Sequence, residues 1–243
     1  KTCGTTTLLF CLSKLFEFAK DIGMEPAWVG FFRKNLMYPE AQVWPHTGFV
    51  DEVNYLNGVV IKHDKHDPSS GKGFLIGPIT HDHLVVYSTD ASQIPPVLPG
   101  LATARSTFTL MMFDMHPDVA RNFFEEVCPT GEAMRKKSGI CDLVEGCLIN
   151  DTSFSPCGYS MNALYKDAYF TVHVTPEEDS SYVSFETNAS PTQLGISVDQ
   201  GYASLVERVT SIFRPSRFLA SVVGTEAALR DGPSMPAQSL HLK

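Results

Sequence analysis

The 243-residue sequence has no long apolar run, no CxxC pair and no cluster of basic residues. Without an apolar run of about 20 residues there is no candidate membrane span, and no secretory signal opens the sequence. The formal net charge is −8 and the Lys and Arg residues are scattered, so no phosphate-binding face is expected. With 43% hydrophobic residues, the composition indicates a folded protein that binds neither nucleic acid nor membranes.

Cysteine is too sparse for a secreted domain held together by disulfides. The six cysteines are Cys3, Cys11, Cys128, Cys141, Cys147 and Cys157. This density favours a reducing, cytoplasmic setting. Two histidine pairs, His63 with His66 and His81 with His83, have no cysteine or carboxylate partner at zinc-ligand spacing. They are interpreted as residues of solvated loops, and no metal site is expected.

Hydrophobic spacing predicts helices and short strands in mixed order. Helical spacing extends over residues 8–23, 50–58, 117–127 and 202–213, and strand-like runs cover residues 73–76, 84–88, 107–112, 168–174, 182–186 and 218–223. Several strands follow one another after only a turn, which favours antiparallel pairing with helices over one sheet face. The sequence therefore predicts an α+β fold.

The predicted strand at residues 168–175 indicates where a site could form. Its alternation places Tyr169, Thr171 and His173 on the face opposite Phe170 and Val172. The next predicted strand carries its own polar face, made of Tyr182, Ser184 and Glu186. A polar, titratable surface is therefore expected across two neighbouring strands.

The first residues are typical of the interior of a folded unit rather than of its start. The sequence opens at Lys1 without an initiator methionine and enters a helical pattern almost at once. We expect residues to precede Lys1 in the natural protein. The small, polar, proline-rich stretch at residues 232–238 is typical of a mobile end.

Three blocks in the same order resemble the eukaryotic S-adenosylmethionine decarboxylase family. They are Lys1-Thr2-Cys3-Gly4-Thr5-Thr6, Phe154-Ser155-Pro156-Cys157-Gly158-Tyr159-Ser160-Met161-Asn162, and His173-Val174-Thr175-Pro176-Glu177 followed by Tyr182-Val183-Ser184-Phe185-Glu186-Thr187-Asn188. Three ordered blocks are more specific than any one of them. The resemblance covers most of the chain up to about Val223, and it identifies the larger, alpha subunit.

The resemblance implies a four-layer αββα sandwich of two antiparallel β-sheets flanked by helices. It implies one catalytic domain over residues 1–243, without its N-terminal part. The family decarboxylates S-adenosylmethionine to the aminopropyl donor of spermidine and spermine synthesis, through an imine with a covalent pyruvoyl group. That group comes from a self-cleaved serine, which would lie upstream of Lys1. The implied partners are the cleaved smaller chain and, in some assemblies, a second copy or an inactive paralogue.

Cys3 matches the cysteine that protonates the substrate carbon in the family. Decarboxylation leaves a carbanion that no ordinary side chain can delocalise, so a carbonyl group must accept the charge and an acid must supply the proton. A thiol can supply the proton if its pKa lies near the working pH. A position just ahead of a helix start lowers the thiol pKa in that direction, because the helix dipole stabilises the thiolate. A buried, inert cysteine is the alternative, and it is the preferred interpretation of Cys11, Cys128, Cys141 and Cys147.

Ser160 and His173 match the pair that assists self-cleavage in the family. A hydroxyl steadies the acyl-shift intermediate, and a base then removes a proton to release the ester. Alone, Ser160 would be interpreted as a turn residue and His173 as a hydrogen-bonded strand histidine. The joint motif, with His173 on the predicted polar face, favours the catalytic interpretation.

Phe154 and Glu177 match residues that bind the substrate in the family. Phe154 matches an aromatic ring that stacks on adenine and faces the sulfonium cation, an attraction of roughly 0.5–2 kcal/mol. Its alternative is core packing among sixteen phenylalanines. Glu177 matches the carboxylate that accepts hydrogen bonds from the ribose hydroxyls, and its alternative is a solvated turn residue.

One regulatory position departs from the family pattern. Animal members bind the diamine putrescine through acidic residues on a strand that aligns with residues 105–109. Arg105 and Thr109 stand where acids would be expected. Because Arg105 would repel a cation, the sequence predicts that putrescine does not act through this pocket.

Two further functions compete with the active decarboxylase. A catalytically inactive paralogue that regulates an active partner would be expected to have lost the cysteine, serine or histidine. Cys3, Ser160 and His173 are all present, which favours the enzyme. A generic small-molecule binding domain explains none of the three blocks.

Overall fold

The computed structural model describes residues 7–24, 26, 28–63, 71–89, 106–143, 145–197 and 199–224. The chain divides into two units, Lys1–Ala102 and Thr103–Lys243. Their described parts each contain one antiparallel sheet with helices packed against it. This confirms the predicted α+β class and the two antiparallel sheets flanked by helices. The prediction of one catalytic domain over residues 1–243 stays a prediction.

The sheet of the first unit has three strands in the order β1-β3-β2. They are β1 (Gly30–Lys34), β2 (Lys72–Ile76) and β3 (Leu84–Ser88), all antiparallel. The strands at residues 73–76 and 84–88 were predicted, whereas β1 was not. Its sequence has two adjacent phenylalanines followed by Arg33 and Lys34, so it lacks the alternation that marks a half-buried strand.

Two helices complete the first unit. A 3-10 turn (Leu8–Cys11) leads into α1 (Leu12–Asp21), which Gly23 follows with φ of +73°. This confirms the predicted helix. The interpretation of Cys11 as a buried cysteine is wrong, because Cys11 is exposed.

The predicted end of the second helix, at Asn57-Gly58, is also wrong. Helix α2 spans Phe49–His63 and continues through Gly58. The buried side chains of Leu56, Val59 and Val60 continue the apolar stripe across that point. Their packing outweighs the helix-interior cost of a glycine, about 1 kcal/mol.

A buried carboxylate connects three segments of the first unit. Glu52 of α2 is completely buried, and Arg33 of β1 donates Nε–H and an Nη–H to it at 2.7–3.0 Å. His46 Nδ1 lies 2.7 Å from Glu52 Oε1. Among the described residues, His46 Nε2 is buried without a hydrogen-bond partner. Because a carboxylate only accepts hydrogen bonds, the His46 ring carries a hydrogen on Nδ1 and donates a hydrogen bond from it to Glu52.

The sheet of the second unit has six strands in the order β5-β6-β7-β8-β4-β9. They are β4 (Ser106–Met115), β5 (Leu148–Ser153), β6 (Tyr159–Tyr165), β7 (Ala168–Thr175), β8 (Tyr182–Thr187) and β9 (Pro215–Gly224), and each neighbouring pair is antiparallel. Four of these strands were predicted. Strands β5 and β6 were not.

Alternation separates the two faces of this sheet as predicted. The buried face belongs to a core that includes Met161, Phe170, Val172 and Phe185, and α5 (Gly201–Phe213) packs on it. The side chains of β7 alternate between buried and half-buried over its whole length. His173 therefore lies on the face opposite the apolar core.

The helix predicted from Pro117 is much shorter than expected. Helix α3 (Pro117–Ala120) passes into a 3-10 turn (Arg121–Phe123), and Phe124 is extended. Phe124 pairs with Cys157 in a β-bridge, so its backbone bonds to the turn between β5 and β6 and does not continue the helix. Helix α4 (Gly131–Ser138) was not predicted. Within the described part of the chain, no helix combines the length and apolar character needed to cross a bilayer.

Candidate functional site

Ser160 and His173 meet on the polar face of the six-stranded sheet. They are directly opposite each other on β6 and β7, and Ser160 Oγ lies 2.9 Å from His173 Nδ1. Both residues are partly buried. A hydrogen-bonded hydroxyl and imidazole can pass a proton between them, which is what acid–base work at this position requires. The alternative interpretation of Ser160 as a turn residue is wrong, because it lies within β6.

The turn ahead of β6 is held by backbone hydrogen bonds. Gly158 has φ of +121°, a conformation that favours glycine, and its N–H donates to Phe123 O at 2.9 Å. Glu125 N–H donates to Pro156 O at 2.9 Å. These contacts fix the backbone at Gly158, just ahead of β6 and two residues before Ser160.

Glu186 of β8 lies on the polar face of the sheet. Tyr169 OH donates to its Oε1 at 2.8 Å, and Thr109 Oγ1 donates to its Oε2 at 3.3 Å. Burial raises the pKa of Tyr182 to about 12, the charge of Glu186 adds to that rise, and a hydrogen bond from Ser184 opposes it. Tyr182 is therefore protonated at neutral pH. The sequence placed Glu186 on this face but did not identify its contacts with Tyr169 and Thr109.

Phe154 and Glu177 lie in loops at the same end of the sheet. Tyr159 pairs with Val174, so the turn before β6 and the loop after β7 are adjacent. Phe154 is 50% exposed, so its interpretation as a core residue is wrong. Glu177 is exposed in its loop.

The thiol of Cys157, in the turn before β6, is affected by the charge of Glu177 in the other loop. Burial raises the pKa of Cys157, and the negative charge of Glu177 raises it further. Glu177 can act on this thiol because its loop, after β7, is adjacent to the turn that carries Phe154 and Cys157. This thiol is therefore mainly protonated at neutral pH and is a poor nucleophile.

Several residues singled out in the sequence lie outside the described residues. They are Cys3, the predicted proton donor, Arg105, the predicted obstacle to a diamine, His66 and the stretch 232–238. Thr109 is described, and it is buried beside Glu186. The structure thus brings Ser160 together with His173 and places Phe154 and Glu177 at one end of the same sheet.

The model of the family described as adenosylmethionine decarboxylase matches residues 1–240. The chain belongs to this family. A relative named S-adenosylmethionine decarboxylase proenzyme, from Dictyostelium discoideum, is 38% identical over 228 residues, covering 94% of this chain and 55% of the relative. The protein of the same name from Xenopus laevis is 36% identical over 225 residues, covering 91% and 61%. The chain therefore spans a little over half the length of these relatives.

A solved structure has the same fold. The Trypanosoma brucei AdoMetDC-delta26 monomer matches with a TM-score of 0.61 at 24% identity, covering 91% of this chain and 74% of that one. The resemblance of this chain to the eukaryotic adenosylmethionine decarboxylase family, predicted from three sequence blocks, is confirmed.

Proposed function

We propose that this chain is the larger subunit of a decarboxylase that converts S-adenosylmethionine to the aminopropyl donor of polyamine synthesis. Membership of the adenosylmethionine decarboxylase family supports the reaction. The observation that carries the proposal is the hydrogen bond between Ser160 and His173, since both are residues of the family's motif and they meet on a polar sheet face.

The proposed cofactor is a covalent pyruvoyl group, made by self-cleavage at a serine that precedes Lys1 in the full-length protein. When bound, such a group supplies the electron sink that decarboxylation requires. The residues of this chain fit the processing that would produce it, because Ser160 offers a hydroxyl and His173 a base within hydrogen-bond distance. Cys3 would hold the proton that the substrate carbon receives.

Phe154 and Glu177 are the proposed substrate-binding residues. An aromatic ring that is half exposed can stack on adenine and attract a sulfonium cation. The carboxylate of Glu177 is exposed and can accept hydrogen bonds from two ribose hydroxyls. The proximity of Glu177 to the turn that carries Phe154 suits one ligand that spans both.

The proposed partners follow from the same scheme. The smaller chain released by self-cleavage would stay associated, and the active form would be this unit alone, a homodimer or a pair with an inactive paralogue. The location would be cytoplasmic.

Intact-mass and activity measurements on the full-length protein test the proposed function directly. Intact mass should show two chains, the larger with a pyruvoyl end, and the cleaved protein should release carbon dioxide from S-adenosylmethionine. Cys3→Ala should cleave normally but lose about 10²–10⁴-fold in turnover, the usual contribution of a positioned acid. A single uncut chain without activity would contradict the enzyme and support an inactive, regulatory paralogue.

We expect putrescine to leave the decarboxylation rate of the full-length enzyme unchanged. Arg105 would repel a diamine, and Thr109 supplies a hydroxyl in place of a carboxylate. Rate measurements with and without putrescine check this. The double variant Arg105→Asp/Thr109→Glu should gain diamine binding in isothermal titration. Activation of the wild-type enzyme, abolished by Thr109→Val, would show that the prediction is wrong.

A further inference from the structure

An ion pair lies between helix α4 and strand β5 of the second unit. Arg135 of α4 donates Nε–H to Asp151 Oδ2 of β5 at 2.7 Å. The two side chains are mostly buried, with 18% and 12% exposed. A charge-assisted hydrogen bond with little access to water has a well-defined geometry, so the pair is a firm link between helix and sheet.

Tyr159 extends this link to strand β6. Its hydroxyl donates to the same oxygen, Asp151 Oδ2, at 3.2 Å, and the side chain is 1% exposed. Burial raises the pKa of Tyr159, and the charge of Asp151 and its hydrogen bond add to the rise. The hydroxyl therefore stays protonated and stays a donor.

The start of α4 lies against the backbone of β5. A Cβ atom on Gly131, the first residue of α4, would be 2.9 Å from Thr152 N and 3.0 Å from the carbonyl carbon of Asp151. Only glycine allows this approach. The helix thus sits close enough for Arg135 to reach Asp151.

The link ends one residue before Ser160. Tyr159 and Ser160 are consecutive in β6, so their side chains leave opposite faces of the same strand. Fixing the Tyr159 side chain fixes the backbone from which Ser160 reaches His173 Nδ1 at 2.9 Å. Proton transfer is sensitive to such placement, since a displacement of about 1 Å can cost a reaction 10²-fold.

We propose that Arg135, Asp151 and Tyr159 are positioning residues that hold Ser160 against His173. They act from the core side of the sheet, through the backbone of β6, and touch none of the proposed reacting atoms. The proposal rests on the function proposed above, in which Ser160 and His173 carry out self-cleavage.

The test uses Tyr159→Phe in the full-length protein, which removes one hydroxyl and keeps the ring. Self-cleavage followed by intact mass should slow roughly 10-fold. The ¹⁵N signal of His173 Nδ1, assigned with His173→Ala, should shift because its hydrogen bond to Ser160 changes. The double variant Arg135→Met/Asp151→Leu, which replaces the pair by apolar groups, should act in the same direction. The control is Glu132→Gln, which breaks an exposed ion pair with Lys136 on the same helix and should change neither readout.

Two outcomes would overturn the proposal. One is an unchanged His173 signal in both Tyr159→Phe and the double variant. The other is a cleavage rate that falls only in proportion to the unfolded fraction measured by denaturation, since a merely structural link would do that. Failure of the proposed function looks different: the wild-type protein would stay uncut, and the His173 signal alone would then decide whether the three residues position Ser160.

Discussion

Changing His173 to alanine should stop self-cleavage of the full-length protein at an ester. In the proposed scheme an acyl group moves from nitrogen to the oxygen of the upstream serine, and His173 then removes a proton so that the ester is released. Without the imidazole, release should slow by about 10²–10⁴-fold. Intact mass would show one chain that neutral hydroxylamine splits, because hydroxylamine attacks esters much faster than amides.

Changes at Ser160 separate the two steps. Ser160→Ala should prevent the acyl shift, so its uncut chain should resist hydroxylamine, and Ser160→Thr should retain part of the cleavage because it keeps a hydroxyl. His116→Ala, which alters a partly exposed histidine outside the site, should cleave at the normal rate. Normal cleavage of His173→Ala, or a stalled chain that hydroxylamine leaves intact, would show that His173 has another role.

Changing Glu52 to alanine should lower the free energy of unfolding of the first unit by about 3 kcal/mol. Removing one partner of a buried ion pair costs about 3–5 kcal/mol, because the other charge is left unpaired. We expect the lower end, since 19% of the Arg33 side chain is exposed and can turn towards water. Both tryptophans of the protein, Trp28 and Trp44, lie in this unit, so their fluorescence in a urea titration reports its unfolding.

Asp51→Asn provides the matched control for Glu52. Asp51 is the preceding residue on α2, and its carboxylate accepts a hydrogen bond from exposed Thr47 at 2.9 Å. Its replacement should change the free energy of unfolding by less than about 1 kcal/mol. Equal effects of the two substitutions would mean that the contacts of Glu52 with Arg33 and His46 contribute little.

Alternation made strand β7 predictable, but β6, whose burial also alternates, was not predicted. Strand β7 alternates over its whole length, and that pattern correctly placed His173 opposite the core. Helix α4 has no such pattern, because among its apolar residues only Met134 is a large buried one. Its signals were Thr130, whose hydroxyl accepts from Ala133 N–H, and Gly139 in the left-handed region, and both are short-range features that are easily overlooked.

The site could be predicted only from the family motif and from the alternation of strand β7. The pairing of Ser160 with His173 was expected only from the family resemblance, because β6 was not predicted and alternation placed only His173 on the polar face. The contact of Thr109 with Glu186 depends on β4 joining β8, and that of Arg135 with Asp151 depends on an unpredicted helix meeting an unpredicted strand. Such pairings are decided by tertiary packing rather than by local spacing.

The strand order of the six-stranded sheet sets a sequence of events during synthesis. Strands β5 to β8 are neighbours in the chain as well as in the sheet, so each can pair with the one before it as it emerges from the ribosome. Strand β4 is made before them, yet its partners are β8 and β9. Ser106 therefore cannot pair with Gly224 until Gly224 has been made. Ser160 and His173 thus come together within a local hairpin, whereas the side of the sheet that contains β4 and β9 is completed only after Gly224 has been made.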